Sequence, residues 1–323
     1  MRALSLLPVL LAGISASPAP AQNMMNVFDT VRQKAQVDST TQADDVKIRK
    51  DRSDRMTVPV TVGGSGPFRF LVDTGADRTA ISSAVAAQLG LDTSAQASLH
   101  SVTGISTVQT ATVSNLRLSQ QDLKIVDAPV LDAANMGADG ILGTDSLRSQ
   151  RVVFDFQKNL MTIVPAEQRI ANEEGTIVVT GKLRNGRLIV TNAIADGNVI
   201  TVVLDTGSEV TIGNEALRRR LGKALVKISG PVDLESVTGE ILQGEYTFVK
   251  RLEVGDVNLA NLAVVFADAH TFAKLGLDKR PALLLGMNAL RAFKKVSIDF
   301  ANKKLRVILP ETGSLEQVLM AAR

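Results

Sequence analysis

The amino-acid sequence contains no cysteine and no tryptophan, and its 323 residues include only one tyrosine and two histidines. Without cysteine, the chain can form no disulfide bond, cysteine nucleophile or thiolate metal site. The two histidines, His100 and His270, leave little for an imidazole-based zinc site or for serine–histidine chemistry. Aromatic residues make up 3% of the chain, which argues against stacking surfaces for bases or sugars. We therefore expect neither a metal ion nor a cofactor.

The charged residues do not point to a nucleic-acid partner. Lysine and arginine number 36 and aspartate and glutamate 33, which gives a formal net charge of +3. The basic residues form no long run of the kind that follows nucleic-acid phosphates. The triplet Arg218-Arg219-Arg220 is predicted to be the solvated face of a short helix, and both histidines are predicted to be solvated. At roughly 150 residues per domain, the length predicts about two globular domains.

The first residues have the pattern of an export signal. Arg2 is followed by an apolar run of about eleven residues, 4–14, and Ala19-Pro20-Ala21 supplies the small residues that a signal peptidase reads. The run is shorter than the roughly 20 residues that a helix needs to cross a bilayer. We therefore expect a cleaved signal peptide, no stable membrane anchor, and a mature protein that is periplasmic or secreted.

Two Asp-Thr-Gly triplets follow two similar hairpins. From residue 46 the sequence changes to short alternating runs with turn residues between them, which is typical of strands. Hairpins predicted at 56–72 and 188–204 run into Asp73-Thr74-Gly75 and Asp205-Thr206-Gly207, which lie 132 positions apart. A single triplet is usually an ordinary turn, but two triplets at matched places indicate a duplicated unit.

Three further landmarks occur in both halves in the same order. A short helix with a polar cap is predicted after each triplet. The tetrapeptide Ser-Val-Thr-Gly occurs at 101–104 and 236–239, and two apolar residues precede Gly143 and Gly286. Because loop insertions change spacing but preserve order, we predict two homologous β-rich lobes. The chain is divided accordingly into a signal peptide (1–21), a polar leader (22–45), the first lobe (46–165), a linker (166–175), the second lobe (176–310) and a C-terminal tail (311–323).

The aspartate of each triplet is placed at the end of an apolar strand. A carboxylate at this place lies at the edge of the apolar, low-dielectric core, so its negative charge must be stabilised by other groups. The neighbouring glycine allows a tight turn with backbone N–H groups aimed inward, and the threonine hydroxyl can brace the loop. An approximate two-fold axis between the lobes would bring Asp73 and Asp205 close enough to share a proton and a water.

A pair of adjacent carboxylates has a defined chemistry. The two groups cannot easily ionise together, so one pKa rises, the other falls, and the pair titrates as a unit. The ionised member can activate water for attack on a peptide carbonyl while the protonated member donates to the developing oxyanion. This hydrolysis requires neither a metal ion nor a covalent intermediate.

The segment Phe70-Leu71-Val72-Asp73-Thr74-Gly75-Ala76-Asp77, with Ile141-Leu142-Gly143 downstream, resembles the retropepsin-type aspartic proteases, in particular their bacterial relatives. The resemblance covers most of the chain, from about residue 46 to 309. Retroviral members place one unit in each subunit of a homodimer, whereas pepsin-like members fuse two units in one chain. This sequence is similar to the fused arrangement, made from retropepsin-sized units. The resemblance implies an all-β fold of two tandem retropepsin-like β-barrel lobes, related as a pseudo-two-fold dimer with a cleft between them.

The same resemblance implies roles for particular residues. Asp73 and Asp205 take the catalytic positions of an aspartic endopeptidase. The residues implied to support the active-site loops are Thr74, Gly75, Thr206, Gly207, Gly143 and Gly286. The Ser-Val-Thr-Gly segments fall where the family has its substrate-covering flaps, with Thr103, Gly104, Thr238 and Gly239 at the tips. The implied partner is a peptide or unfolded protein bound in extended form, and we expect the chain to be a monomer.

The sequence departs from the family pattern in three ways. The second motif continues as Ser208-Glu209 instead of Ala76-Asp77. The residues that follow the two apolar-apolar-glycine motifs are Thr144 and Met287, so the arginine that retroviral members carry there is missing. Its ion pair with the acidic residue after the motif is therefore not predicted. Neither flap has the aromatic residue with which pepsin-like flaps cover substrate.

Two alternatives remain open on the sequence. A protein of this fold can bind peptides without turning them over. Alternatively, the chemistry can be retained while lobes pair between two chains, as in a lobe-exchanged dimer. Incubation with an unstructured protein separates an enzyme from a binder, and a mass measurement under active conditions separates a monomer from a dimer.

Overall fold

The structure is a computed structural model that describes residues 35–38, 56–118, 121–168, 173–222, 225 and 227–310. The predicted signal peptide (1–21) and C-terminal tail (311–323) lie outside the described residues, as does the predicted leader (22–45) apart from 35–38. Among the described residues, no helix combines the length and the apolar character needed to cross a bilayer.

The described part of the chain consists mainly of strands joined by turns and short helices. Strand β1 (Ala35–Asp38) precedes the lobes. The elements of the first lobe are β2 (Thr57–Val62), β3 (Ser65–Val72), β4 (Ala80–Ser82), α1 (Ser83–Gln88), β5 (Ala95–His100), β6 (Ile105–Leu118), β7 (Gln121–Leu131), α2 (Ala133–Met136), β8 (Gly140–Leu142), α3 (Thr144–Leu147), β9 (Gln150–Asp155) and β10 (Leu160–Pro165). The elements of the second lobe are β11 (Ile177–Thr180), β12 (Lys182–Arg184), β13 (Arg187–Ala195), β14 (Asn198–Leu204), β15 (Thr211–Gly213), α4 (Glu215–Leu221), β16 (Lys227–Glu235), β17 (Ile241–Val254), β18 (Val257–Phe266), α5 (His270–Lys274), β19 (Ala282–Leu285), α6 (Met287–Leu290), β20 (Lys295–Asp299) and β21 (Lys304–Ile308).

Each lobe closes its strands into a ring. In the first lobe the order β2-β3-β8-β4-β7-β6 is closed by pairing of β6 with β2, where Val62 lies opposite Leu116. In the second lobe the order β18-β15-β19-β14-β13-β17 is closed by the antiparallel pair of β17 and β18. Closure pairs backbone groups that an open sheet would leave free at its ends. The predicted all-β fold of two barrel-like lobes is confirmed.

The strands that precede the two triplets each lie between two neighbouring strands of their ring: β3 lies between β2 and β8, and β14 lies between β13 and β19. Strand β3 pairs in parallel with β8, and β14 pairs in parallel with β19, all four residues of which are buried. Parallel strands that are covered on both faces usually consist of continuous apolar residues, which explains the Val-Val-Leu and Leu-Leu-Leu segments here. The first residue after each strand is tied to its neighbour, because Asp73 N donates to Leu142 O (3.0 Å) and Asp205 N donates to Leu285 O (3.1 Å). Each triplet therefore begins at a fixed point of the core.

A further sheet joins the two lobes. Its five strands have the order β10-β9-β20-β21-β11, so that β9 of the first lobe pairs directly with β20 of the second. Arg151 and Asp299 are opposite each other across this junction, and their side chains form a buried ion pair of 2.7 Å. Asp299 also accepts a hydrogen bond from the backbone of Asn302 in the turn that follows β20. The lobes thus share a continuous hydrogen-bonded sheet, which holds the two triplets in a fixed relative position.

Candidate active site

The two Asp-Thr-Gly loops are interlocked through their threonines. The backbone N–H of Thr74 donates to the hydroxyl of Thr206, and the backbone N–H of Thr206 donates to the hydroxyl of Thr74, each at 3.1 Å. The two hydroxyls in turn donate to backbone carbonyls of the opposite lobe, Leu204 O at 2.8 Å and Val72 O at 2.6 Å. These four bonds obey the pseudo-two-fold relation, and they fix the loops against each other at the base of the cleft.

The glycine of each triplet lies against the aspartate of the other. A Cβ placed on Gly75 would contact the carboxylate of Asp205, at 2.6 Å from Cγ and 2.8 Å from Oδ2. A Cβ placed on Gly207 would likewise overlap the carboxylate of Asp73. Such distances are below any normal carbon contact, so glycine is needed here because of close approach. The structure therefore brings the two sequence-predicted aspartates close to each other, each against the glycine of the opposite triplet.

Both carboxylates accept hydrogen bonds from the backbone of their own triplet loops. Gly75 N donates to Asp73 Oδ1 at 2.7 Å. Asp205 Oδ1 accepts from two backbone groups, Gly207 N at 3.1 Å and Ser208 N at 3.2 Å. Hydrogen bonds of this kind favour the charged form of a carboxyl group. They offset part of the cost of placing two acids at the end of apolar strands.

The two carboxylates differ in exposure. Asp205 is only 7% exposed, whereas Asp73 is half-buried. Burial and, after it, the charge of Asp73 raise the pKa of Asp205 to about 7, against the opposing effects of Arg187 and the two backbone donors. Asp205 is therefore the carboxyl group that we expect to hold a proton at acidic and near-neutral pH.

We expect the Asp205→Asn variant to be more stable than the wild type at pH 8, by about 2–4 kcal/mol of unfolding free energy. The folded wild type keeps the Asp205 proton up to pH about 7, because its pKa is raised, while the unfolded chain loses it near its ordinary value of 3.8. The wild type therefore loses stability as pH rises from about 4 to 7, and asparagine, which does not titrate, avoids this loss.

Denaturant unfolding of both proteins at several pH values measures this difference. The stability gap is expected to widen as pH rises from about 4 through 7 and to become constant only about one unit above the pKa of Asp205, near pH 8. Asp122→Asn is the matched control, because Asp122 is an exposed carboxylate paired with Arg117 on the first lobe. Equal stability of wild type and Asp205→Asn at pH 8 would contradict the burial of an ionised Asp205.

Gly143 and Gly286 lie behind the two loops. A Cβ on Gly143 would overlap the backbone of Arg78, and a Cβ on Gly286 would lie 2.5 Å from the carbonyl oxygen of Val210. Their N–H groups donate to the hydroxyls of Thr79 (3.1 Å) and Thr211 (3.2 Å), respectively. Both glycines thus lie directly against the chain that leaves each triplet, with matching hydrogen bonds in the two lobes.

The Ser-Val-Thr-Gly segments form the turns of two long hairpins that reach over the site. We call the hairpin of β5 and β6 flap 1 and the hairpin of β16 and β17 flap 2. In each turn the serine hydroxyl contacts the threonine hydroxyl at 2.7 Å and accepts from the threonine N–H at 3.2 Å. The four tip residues predicted from the sequence, Thr103, Gly104, Thr238 and Gly239, all lie in these turns.

Each flap rests on the lobe to which it does not belong. Val102 of flap 1 packs against an apolar cluster of the second lobe that includes Ile212, and Val237 of flap 2 packs against a first-lobe cluster that includes Ile141. The flaps also contact each other, because Glu240 accepts from the hydroxyls of Thr103 (2.5 Å) and Ser106 (3.1 Å). The structure therefore has both flaps closed over the site.

A cavity of about 610 Å³ lies between the flaps and the two triplets. Both aspartates line it, together with the serine and valine of each tetrapeptide; the predicted tip residues are not part of this lining. No group of three or more metal-ligating side chains occurs in the described residues. The cavity thus has walls of both apolar and charged side chains, and the pair of aspartate carboxyl groups is part of its lining.

Arg187 is a site residue that the sequence reasoning missed. This second-lobe side chain is 6% exposed, donates to the carbonyl oxygen of Gly75 at 2.7 Å and pairs with Asp77 at 2.5 Å. Asp77 therefore has an arginine partner, although Thr144 occupies the position at which retroviral retropepsins carry their arginine. A hint in the sequence is that this charged residue directly precedes the apolar run 188–190.

The two histidines are predicted to be solvated, and in the structure His100 is exposed and His270 is partly buried. Their contact was not predicted: His100 Nδ1 lies 2.8 Å from His270 Nε2. His100 is the last residue before the turn of flap 1, and His270 begins α5 in the second lobe. Nothing in a single sequence links two residues that are 170 positions apart.

Comparison with known proteins identifies the family of the chain. The chain matches the family model described as aspartyl protease at residues 58–146 and 190–289, which together make up more than half of its length. The chain therefore belongs to the aspartyl protease family, and it carries two tandem copies of the unit, which confirms the resemblance seen in the sequence. It is also similar to a crystal structure of a retropepsin-like aspartic protease from Rickettsia conorii, with 18% identity over 41% of this chain and 89% of that chain, at a TM-score of 0.28. Among curated proteins, no match was found.

Proposed function

We propose that this protein is an aspartic endopeptidase in which Asp73 and Asp205 together activate one water molecule. The observation that carries the proposal is the reciprocal approach of each carboxylate to the glycine of the opposite triplet, at the floor of a covered cavity. Membership of the aspartyl protease family supports the reaction class. The different burial of the two groups supports a division of roles between them.

In this mechanism Asp73 begins as the ionised base and Asp205 as the protonated acid. Asp73 takes a proton from the water molecule, and the oxygen of this water attacks the carbonyl carbon of the peptide. At the same time Asp205 gives its proton to the carbonyl oxygen. The resulting tetrahedral diol collapses when Asp73 returns its proton to the amide nitrogen and Asp205 takes one back from a hydroxyl. The C–N bond breaks, one water is added, and both carboxyl groups return to their first state.

The closed flaps supply the rest of the site. They exclude bulk water from the carboxyl pair, and their strands offer backbone groups to an extended peptide, as in recognition by strand addition. We propose a peptide or unfolded protein as substrate, and a monomer as the active form. The threonine interlock supports the monomer because one chain provides both of its halves. The predicted signal peptide supports action in the periplasm or outside the cell.

The test is incubation of the purified protein with an unstructured protein between pH 3 and 8, with products identified by mass spectrometry. Cleavage is expected to increase as pH falls through about 7, where Asp205 gains its proton, and a statine-type inhibitor is expected to abolish it. Peptide binding without products at every pH would instead identify a catalytically silent binder. Light scattering under the same conditions is expected to show a monomer; a dimer that loses activity on dilution would favour lobe exchange.

A further inference from the structure

His100 and His270 form a contact between flap 1 and the second lobe. They are the only histidines in the sequence, and their rings stack at an interplanar angle of 14° with centroids 5.1 Å apart. His100 Nδ1 and His270 Nε2 are at hydrogen-bonding distance, 2.8 Å. Both residues belong to elements that end at the cavity, since His100 lines it and Thr271 and Lys274 of α5 do so as well.

This contact is part of a larger attachment of flap 1. The backbone N–H of His270 donates to the carbonyl oxygen of Val102 at 2.9 Å. The side chain of Val102 packs against the apolar cluster of the second lobe. The imidazole pair therefore lies next to the point at which the tip of flap 1 is held down, and its rupture would weaken all three interactions together.

The imidazole contact depends on protonation. A neutral imidazole has one donor and one acceptor nitrogen, whereas a protonated imidazole has two donors. The hydrogen bond therefore needs at least one neutral ring. When both rings are protonated, two donors face each other and two positive charges are brought together, so the contact becomes repulsive.

The charged groups around the pair strengthen this dependence. The pKa of His100 is lowered first by loss of hydration at the ring stack and then by the charges of Lys274 and His270. The charge of Asp77 acts in the opposite direction and raises this pKa. Asp77 is itself paired with Arg187, and Asp268, two residues before His270, is exposed to solvent. With the flap closed, His100 thus binds a proton less readily than a free histidine, whose ordinary pKa is 6.5. Since the open form binds protons more readily, acidification favours opening.

We propose that the His100–His270 contact is a pH-sensitive latch that holds flap 1 closed over the cleft and is released when both rings are protonated. The two histidines are positioning residues, because they act on the flap and not on the substrate. The consequence for substrate access rests on the proposed peptidase function, whereas the movement of the flap does not. Flap 2 has no such latch, since Glu235 occupies the position that matches His100.

The movement can be measured with spin labels, because the chain has no native cysteine. Ile105→Cys on flap 1 and Val199→Cys in the second lobe are exposed positions, at 60% and 63%. Their distance distribution, measured by double electron–electron resonance, is expected to show one short population at pH 8. A longer population is expected to appear below about pH 6.5 and to become dominant by pH 5.

Two histidine variants separate the latch from other effects of acid. His270→Gln and His100→Gln keep a polar side chain that does not titrate, and each is expected to remove the change in distance between pH 8 and 5. The matched control places labels at Ile241→Cys on flap 2 and Val126→Cys on the first lobe, which are 56% and 49% exposed. That distance is expected to stay constant over the same pH range.

Nuclear magnetic resonance provides a second readout, since only two imidazoles contribute signals. The His100 signal is expected to titrate below the ordinary histidine range in the wild type and to return towards that range in His270→Gln. A flap 1 distance that does not change with pH in the wild type overturns the proposal, as does an unchanged pH response in both glutamine variants. Because neither measurement uses substrate, an inactive protein with a working latch would disprove the peptidase function alone.

Discussion

Replacement of either aspartate by asparagine is expected to lower kcat by about 10²–10⁴-fold, the range that general acid–base catalysis contributes. Asp73→Asn removes the base that takes the proton of water, and Asp205→Asn removes the acid that protonates the carbonyl oxygen. Asparagine has nearly the same shape and can still accept the N–H of Gly75 or Gly207 through its amide oxygen. KM is therefore expected to change much less than kcat.

Steady-state kinetics on a fluorogenic peptide measures this effect, with circular dichroism as the check on folding. Asp122→Asn serves again as the control, since this exposed carboxylate lies on the surface of the first lobe. Its kcat is expected to stay within about twofold of the wild type. A variant of either central aspartate with the activity of this control would exclude that aspartate from the chemical step.

Gly75→Ala and Gly207→Ala are expected to lower kcat by as much as the asparagine variants do, although both aspartates are retained. The added methyl group would occupy the space of the opposite carboxylate and force the pair apart. The overlap is also expected to lower the free energy of unfolding by about 1–3 kcal/mol, as overpacking does elsewhere. Activity and thermal unfolding, measured on the same preparation, test both effects.

Gly197→Ala is the control for these glycine variants. Gly197 lies in the turn between β13 and β14 with φ of +80°, and a Cβ there would meet no atom within 4 Å. Its substitution is expected to cost about 1–2 kcal/mol through the left-handed backbone alone and to leave kcat unchanged. Full activity in Gly75→Ala would show that the carboxylates are not in the tight arrangement described above.

The repeated features of the site were predictable because duplication marks them twice. The Asp-Thr-Gly triplets, the Ser-Val-Thr-Gly turns and Gly143 with Gly286 recur in the same order, and matching sequences fold into matching loops. The two β-rich lobes followed from the alternating apolar runs between these landmarks, and their barrel form followed from the family resemblance. The threonine interlock agrees with the resemblance because both threonines belong to the repeated motif itself.

The contacts that single side chains make between distant segments were not predictable in the same way. Arg187, the histidine pair and Glu240 each join segments more than 100 positions apart. Their partners depend on how one lobe sits against the other, which local pattern does not encode. The pairing of β9 with β20 also belongs to this group, since the sequence pattern of neither strand identifies the other as its partner.

The strand pair between the lobes has a consequence for the solubility of each lobe on its own. Separation of the two halves at β9 and β20 would strip one neighbour from each strand and expose two rows of free backbone donors and acceptors, the kind of border that recruits other chains and aggregates. It would also leave the charges of Arg151 and Asp299 without their buried counterparts. Loss of either lobe is therefore expected to lower the solubility of the remaining one, independent of any demand made by catalysis.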